Sequence, residues 1–161
     1  MADIAQLFVK DSRDFVTQVY LPRIERCVSR LTDEQIWSRA NDASNSVGNL
    51  ILHLAGSTRF WASDVIGQTP TGRIRQEEFD QRERIPPDQL LAILREAVSE
   101  ADRRLGELRS EQLTETRAAK EWRPTVLWSV YHIVEHFAMH TGQILSMTKA
   151  LVGDVRSESS P

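Results

Sequence analysis

The chain has 161 residues, a mass of 18.4 kDa and a net charge of −3. That size supports one domain with its own core, and the mild negative charge excludes a general pull toward nucleic acid. The single cysteine, Cys27, excludes an intramolecular disulfide and any cysteine-rich metal site.

No segment approaches the ~20 consecutive apolar residues that span a bilayer. The N-terminal stretch "MADIAQLFVKDSRDF" is interrupted by Asp3, Lys10 and Asp11 and has no secretory pattern. These features predict a cytoplasmic protein without a membrane or nucleic-acid partner. Residues 1–152 are expected to form a single domain and 153–161 a flexible C-terminal tail.

In chain order, residues 2–31 show mostly helical apolar spacing, from Ile4, Leu7 and Phe8 to Ile24, Val28 and Leu31. Pro22 removes a backbone donor and should kink or restart that helix. Thr32 suits the cap of a short turn, and the polar loop 41–46 ends in capping residues. A second helix is predicted over about 47–65, stopped at Gly67.

Residues 68–86, "QTPTGRIRQEEFDQRERIP", form a long polar connection rich in arginine and glutamate. Pro87 then opens an amphipathic helix with Leu90, Leu91, Leu94, Val98, Ala101, Leu105 and Leu108 on one side. A polar connection containing "ETRAAKEWR" leads to a last helix, which starts at or just after Pro124 and runs to about Leu151. Four long helices with unequal connections and no strand pattern predict an all-α bundle with a long crossover between the second and third helices.

Three of the four histidines lie on the last helix, in "HIVEHFAMHTGQ", and the fourth is His53 on the second. With about 100° per residue, His140 falls inside the apolar stripe that includes Val126, Ile133, Phe137, Ile144 and Leu151. His136 lies on the stripe's edge, and His132 lies further round. Residues at i and i+4 are about 6 Å apart along the axis, so two imidazoles can converge on one point. A cation there would satisfy both, and His53 is the histidine left to add a third ligand from another helix. Ordinary histidines bonded to carbonyls or water remain the plain alternative.

Other metal patterns fit less well. "HFAMH" lacks the glutamate of H-E-x-x-H. "HIVEH" matches H-x-x-E-H, but the carboxylates after it, Asp154 and Glu158, fall in the polar tail, so a peptidase site is not expected. No helix carries the E-x-x-H pair of a di-iron bundle.

"SNSVGNLILHLAGSTRFW" and "VYHIVEHFAMHTGQILSMTKALVGD" together resemble the DinB/YfiT-like superfamily of metal-dependent bacterial proteins. "EHFAMHTGQI" is similar to an uncharacterised DinB-like branch with H-x-x-x-H-T-G-Q-I, and the resemblance covers nearly the whole chain. It implies a DinB-like four-helix bundle holding a divalent metal through His53, His136 and His140, with His132 beside the site. Thr141 stands where many relatives have arginine. The wider superfamily includes a mycothiol-dependent isomerase and thiol S-transferases.

The resemblance therefore implies a metal-dependent hydrolase or low-molecular-weight-thiol S-transferase acting on a small molecule. A non-enzymatic, stress-related metal-binding bundle is the alternative. A three-histidine set suits zinc, with nickel, iron or manganese also compatible. Such an ion lowers the pKa of bound water or thiol. A homodimer is expected from the amphipathic faces and the family tendency.

Glu135, Gln143 and His132 are candidates to orient the imidazoles, although Glu135 reads better as a surface carboxylate. Arg73, Arg75, Arg82 and Arg84 could hold substrate carboxylates, but a solvated, self-paired charged loop is the favoured reading. Trp61 and Trp128 could line an apolar pocket mouth, although most aromatics at helical spacing are simply core, and Cys27 reads as a structural thiol.

Overall fold

The computed structural model describes residues 3–154. Among them, α1 (Ile4–Asp14) and α2 (Leu21–Val28) form one rod joined by a π-helical stretch, Phe15–Tyr20. There the Leu21 N–H donates to Val16 O, five residues back. The expected disturbance at Pro22 thus takes the form of a wide turn ahead of the proline. Widening that turn eases the clash between the ring and the preceding carbonyls.

The short α3 (Asp33–Trp37) opens with a capping box between Thr32 and Gln35. A second capping box, between Ser46 and Asn49, starts α4 (Val47–Arg59). This rod continues through a π-helical stretch, Phe60–Ile66, and ends at Gly67. The crossover is not structureless: it carries α5 (Arg75–Asp80), which packs on α4. The third rod, α6 (Pro87–Gly106), begins with proline in its first turn as predicted. Residues 115–125 form a small antiparallel hairpin, with isolated bridges Thr116–Thr125 and Ala119–Trp122. The fourth rod, α7 (Val126–Val152), is capped by the Thr125 side chain, which accepts from Trp128 N.

The fold is an all-α bundle, and no strand forms among the described residues beyond those isolated bridges. Phe137, Ile24, Ile51, Leu54, Leu90, Leu94 and Ile144 are fully buried and join the four rods into one core. The apolar stripe predicted for α7 holds at Val126, Ile133, Phe137 and Ile144 but fails at Leu151. That residue is 41% exposed in the last turn of α7. Seven residues of the expected flexible tail, 155–161, lie outside the described residues. No described helix is long and apolar enough to cross a membrane.

Candidate metal centre

His53 comes from the middle of α4, and His136 and His140 come from consecutive turns of α7. All three are buried, and their candidate ligand atoms lie within 4.8 Å of one another. His136 Nε2 is 3.1 Å from His53 Nε2 and 3.0 Å from His140 Nε2. Tetrahedral ligands at ~2.0–2.1 Å from an ion would be about 3.3–3.4 Å apart. His136 therefore stands within a few tenths of an ångström of ligating separation from each neighbour, while the set as a whole spans up to 4.8 Å. The sequence placed His136 at the edge of the core; in the fold it is as buried as His140, with the His53 ring packed against it.

The outer ring nitrogens decide whether the cluster suits a cation. His53 Nδ1 lies 2.8 Å from Glu78 Oε2. A carboxylate accepts, so this nitrogen carries the hydrogen and the Nε2 lone pair faces inward. His140 Nδ1 donates in the same way to Gln143 Oε1 at 2.7 Å. Two lone pairs thus point toward His136 Nε2. One ring hydrogen there can make a full hydrogen bond to only one of them, whereas a cation in the centre engages all three nitrogens. The donor set and its orientation fit a divalent metal.

Burial lowers the pKa of His136 to about 3, helped by the neighbouring His140, His53 and His132 and by Arg73. Burial also lowers His140, against the opposing hydrogen bond to Gln143. Both rings are therefore neutral near pH 7 and available as ligands.

Glu78 is itself held. Arg73 donates from Nε to Oε1 at 2.6 Å and from Nη2 to Oε2 at 2.9 Å. Burial acts to raise the Glu78 pKa, but the hydrogen bonds and charges of Arg73 and His53 outweigh it and keep the carboxyl below its usual range. Arg73 Nη2 is also 3.3 Å from His53 Nδ1, but both atoms are donors here, and the shorter contacts to Glu78 use their hydrogens.

The main chain around Glu78 is clamped to α4. Asn49, one turn before His53, donates through Nδ2 to Glu78 O at 2.9 Å and Gln81 O at 3.1 Å. Arg39 bonds Asn49 Oδ1 at 2.7 Å and Phe79 O at 3.1 Å. Gly56 leaves the space into which the carboxylate reaches, since a Cβ there would collide with Glu78 Oε1.

Gln143 is the sequence candidate that does orient one of the three clustered imidazoles, that of His140. Glu135 instead pairs with His132, 3.1 Å away, with no hydrogen bond to the three clustered imidazoles. His132 stacks on Trp128, with ring centres 4.8 Å apart, and borders His136. Thr141 is buried on α7. Burial raises the Cys27 thiol pKa, which agrees with an unreactive structural role.

Of the four crossover arginines, Arg73 and Arg75 reach the site. Arg82 folds back on the carbonyls of Phe79 and Gln81, and Arg84 pairs with Glu34 on the surface. The favoured picture of a solvated, self-paired loop is therefore corrected at Arg73. Its partner does lie in the same loop, but the pair is buried against His53. Glu78 was missed because its partners are 25 and 5 residues away, a relation that helical periodicity does not encode. Gly56, three residues after His53, was the available signal.

A cavity of about 700 Å³ lies over the histidines. His53 and His136 form part of its floor, Phe60, Trp61, Trp122 and His132 form an aromatic wall, and Arg73, Arg75 and Lys120 bring positive charge. Trp61 is buried in the core and also lines the cavity, so both of its sequence readings hold. Trp128 stands behind it, 4.2 Å from Trp122 and 5.2 Å from Trp61 between ring centres.

The family model for mycothiol S-transferase matches residues 14–147. The chain belongs to this family. Membership in the DinB-like superfamily follows, and two solved structures share the fold of this transferase-family chain. A conserved protein from Enterococcus faecalis aligns with TM-score 0.77 at 16% identity, over 96% of this chain and 100% of that one. A DinB-like protein from Bacillus cereus aligns with TM-score 0.66 at 13% identity, over 88% and 92%. No curated protein matches the sequence.

Proposed function

We propose that this chain is a metal-dependent S-transferase for a low-molecular-weight thiol, with the metal held by His53, His136 and His140. The observation that carries the reading is the clustering of three buried imidazoles, two with their Nε2 lone pairs fixed inward, beside an open cavity lined by His53 and His136. Family membership supplies the thiol and the transfer chemistry.

A divalent ion in this position supplies a Lewis acid that favours thiolate over thiol at neutral pH. The protein's own groups do the rest. Glu78 and Gln143 hold two imidazoles in the ligating tautomer, and Arg73 holds Glu78. The aromatic wall confines the reactants against the floor. In the overall reaction the thiol sulfur forms a C–S bond to an electrophilic carbon. The leaving group departs with its bonding pair, and the thiol proton passes to solvent.

The nitrogen ligands favour zinc, with nickel, iron and manganese next. A homodimer belongs to the same proposal, since α7 presents Leu127 and Tyr131 to solvent.

The test is elemental analysis of tag-free protein combined with an assay for thiol-dependent conjugation of an electrophile. About one metal per chain and turnover that needs both thiol and metal are expected. A metal-loaded protein inactive across uncharged and charged thiols would favour the non-enzymatic metal-binding bundle.

A further inference from the structure

The cavity carries a feature that neither metal binding nor thiolate formation uses. Arg75 and Lys120 are exposed at its edge, and among the described residues neither has a carboxylate within ion-pair distance. Each is held by an aromatic face instead. The Arg75 guanidinium lies 4.8 Å above the Phe79 ring, which packs against His53 at 4.7 Å. The Lys120 ammonium lies 6.0 Å from the centre of Phe60. The two come from different connections, the crossover and the hairpin, and both line the same cavity.

Arg73 is neutralised by Glu78, and Asp64, the carboxylate among the lining residues, accepts from Thr71 N at 3.0 Å. Around the cavity, three cations therefore face two carboxylates, although the whole chain is net negative. Lys120 also occupies a backbone position that favours glycine, with φ of +57°. Holding a lysine there costs backbone energy, and such strain concentrates where a side chain is needed.

We propose that the cavity takes a reactant bearing a carboxylate, with Arg75 and Lys120 binding that group at the rim while the reactive end reaches the histidine floor. An uncharged pair of reactants would make no use of the two cations at the rim of this aromatic-lined cavity. Stacked cations of this kind keep their N–H donors free for a carboxylate. The carboxylate could belong to the thiol or to the electrophile. Its assignment within the reaction rests on the transferase reading, but its binding does not.

Two measurements test this. The first is a titration of metal-loaded protein with 3-phenylpropionate and with its neutral amide, followed by fluorescence of the indoles that line the cavity. Two partly exposed charge contacts predict that the acid binds about tenfold tighter than the amide. The Arg75→Gln/Lys120→Gln double variant should bring the two affinities together, with amide binding unchanged as the check on folding. An Arg75→Lys/Lys120→Arg swap should keep the preference. Equal binding in the native protein would overturn the proposal. So would a preference that survives the double variant, because the carboxylate would then be bound elsewhere, such as on the metal.

The second measurement finds the source of the carboxylate. The KM of a charged thiol such as glutathione and that of a carboxylate-bearing electrophile are compared in native and double-variant protein. A rise for one, with kcat little changed, assigns the carboxylate to that reactant. No rise for either overturns the assignment to the reaction. Absence of all turnover beside an intact acid preference would reject the transferase reading alone.

Discussion

The floor and the rim of the cavity are built in opposite ways. The floor comes from the middle of two long helices, and its histidines are buried and held by neighbouring side chains. The rim comes from two connections, and its free cations rest on aromatic faces in contact with solvent. Rigid helices suit a site that must hold donor atoms to within a fraction of an ångström. Connections suit a surface that selects a ligand. On the proposed reading, the contrast assigns bond-making to the floor and substrate choice to the rim.

Breaking the floor should have the largest effect. His136→Ala removes the central nitrogen and is expected to reduce bound metal from about one per chain to none, with loss of any metal-dependent turnover. Elemental analysis alongside circular dichroism checks it, and a variant that kept its metal would remove His136 from the ligand set.

Glu78→Gln sharpens the division, because Glu78 sits on the crossover but serves the floor. It keeps the shape while removing the charge that orients His53. Metal affinity should fall by about 10–100-fold, as is usual when a partner of a ligating histidine is changed. A competition titration with a chelator measures it.

The pH response separates the floor's buried histidines from the solvent-facing cations of the rim. In the folded protein His136 has a pKa of about 3, against 6.5 for the exposed side chain. Below pH 6.5 the unfolded chain therefore binds a proton that the folded one refuses. The stability of metal-free protein should fall progressively from pH 6.5 toward 3 through this residue, with no such loss above 6.5. Glu78, whose pKa is lowered, contributes stability that is present above its ordinary pKa of 4.5 and lost as pH falls through its folded value. Urea unfolding at pH 7.5, 5.5 and 4.5 measures the slope, and His136→Asn should flatten its upper part. Because burial holds His136 and His140 below the ordinary histidine value, metal retention should persist as pH falls through 6.5 and weaken only at lower pH.

Gly56→Ala should act more gently. The added methyl would push the Glu78 carboxylate aside while α4 gains helix propensity, so a several-fold loss of metal affinity with unchanged or raised melting temperature is expected. The smallest effect belongs to Arg82→Gln, on the outward side of the crossover. Metal content and ligand binding should both stay within about twofold, as for a surface substitution.

Much of this arrangement was legible in the sequence because it follows from local periodicity. The four rods, the Pro22 disturbance, the stop at Gly67 and the placement of His140 inside an apolar stripe all come from spacing along single helices. Trp61 on the cavity wall and Gln143 beside His140 also lie close to the motifs that suggested them. What could not be read depends on contacts between distant segments. Glu78 meets His53 only once α5 is docked on α4, and Lys120 reaches the cavity only when the hairpin folds over Phe60. Leu151 shows the converse limit. Its angle on α7 is that of a core residue, but in the last turn it is exposed.

The clamp on the crossover grips peptide carbonyls. Asn49 and Arg39 bind the oxygens of Glu78, Phe79 and Gln81, groups that every residue type offers equally. The attachment is therefore indifferent to most of the side chains the crossover displays, much as a chuck holds any bit with the right shank. Provided Glu78 and Arg73 remain, positions such as 75 can be rewritten without releasing the carbonyls that hold the segment. Descendants of this chain could thus exchange one clientele for another by drift in a few exposed codons.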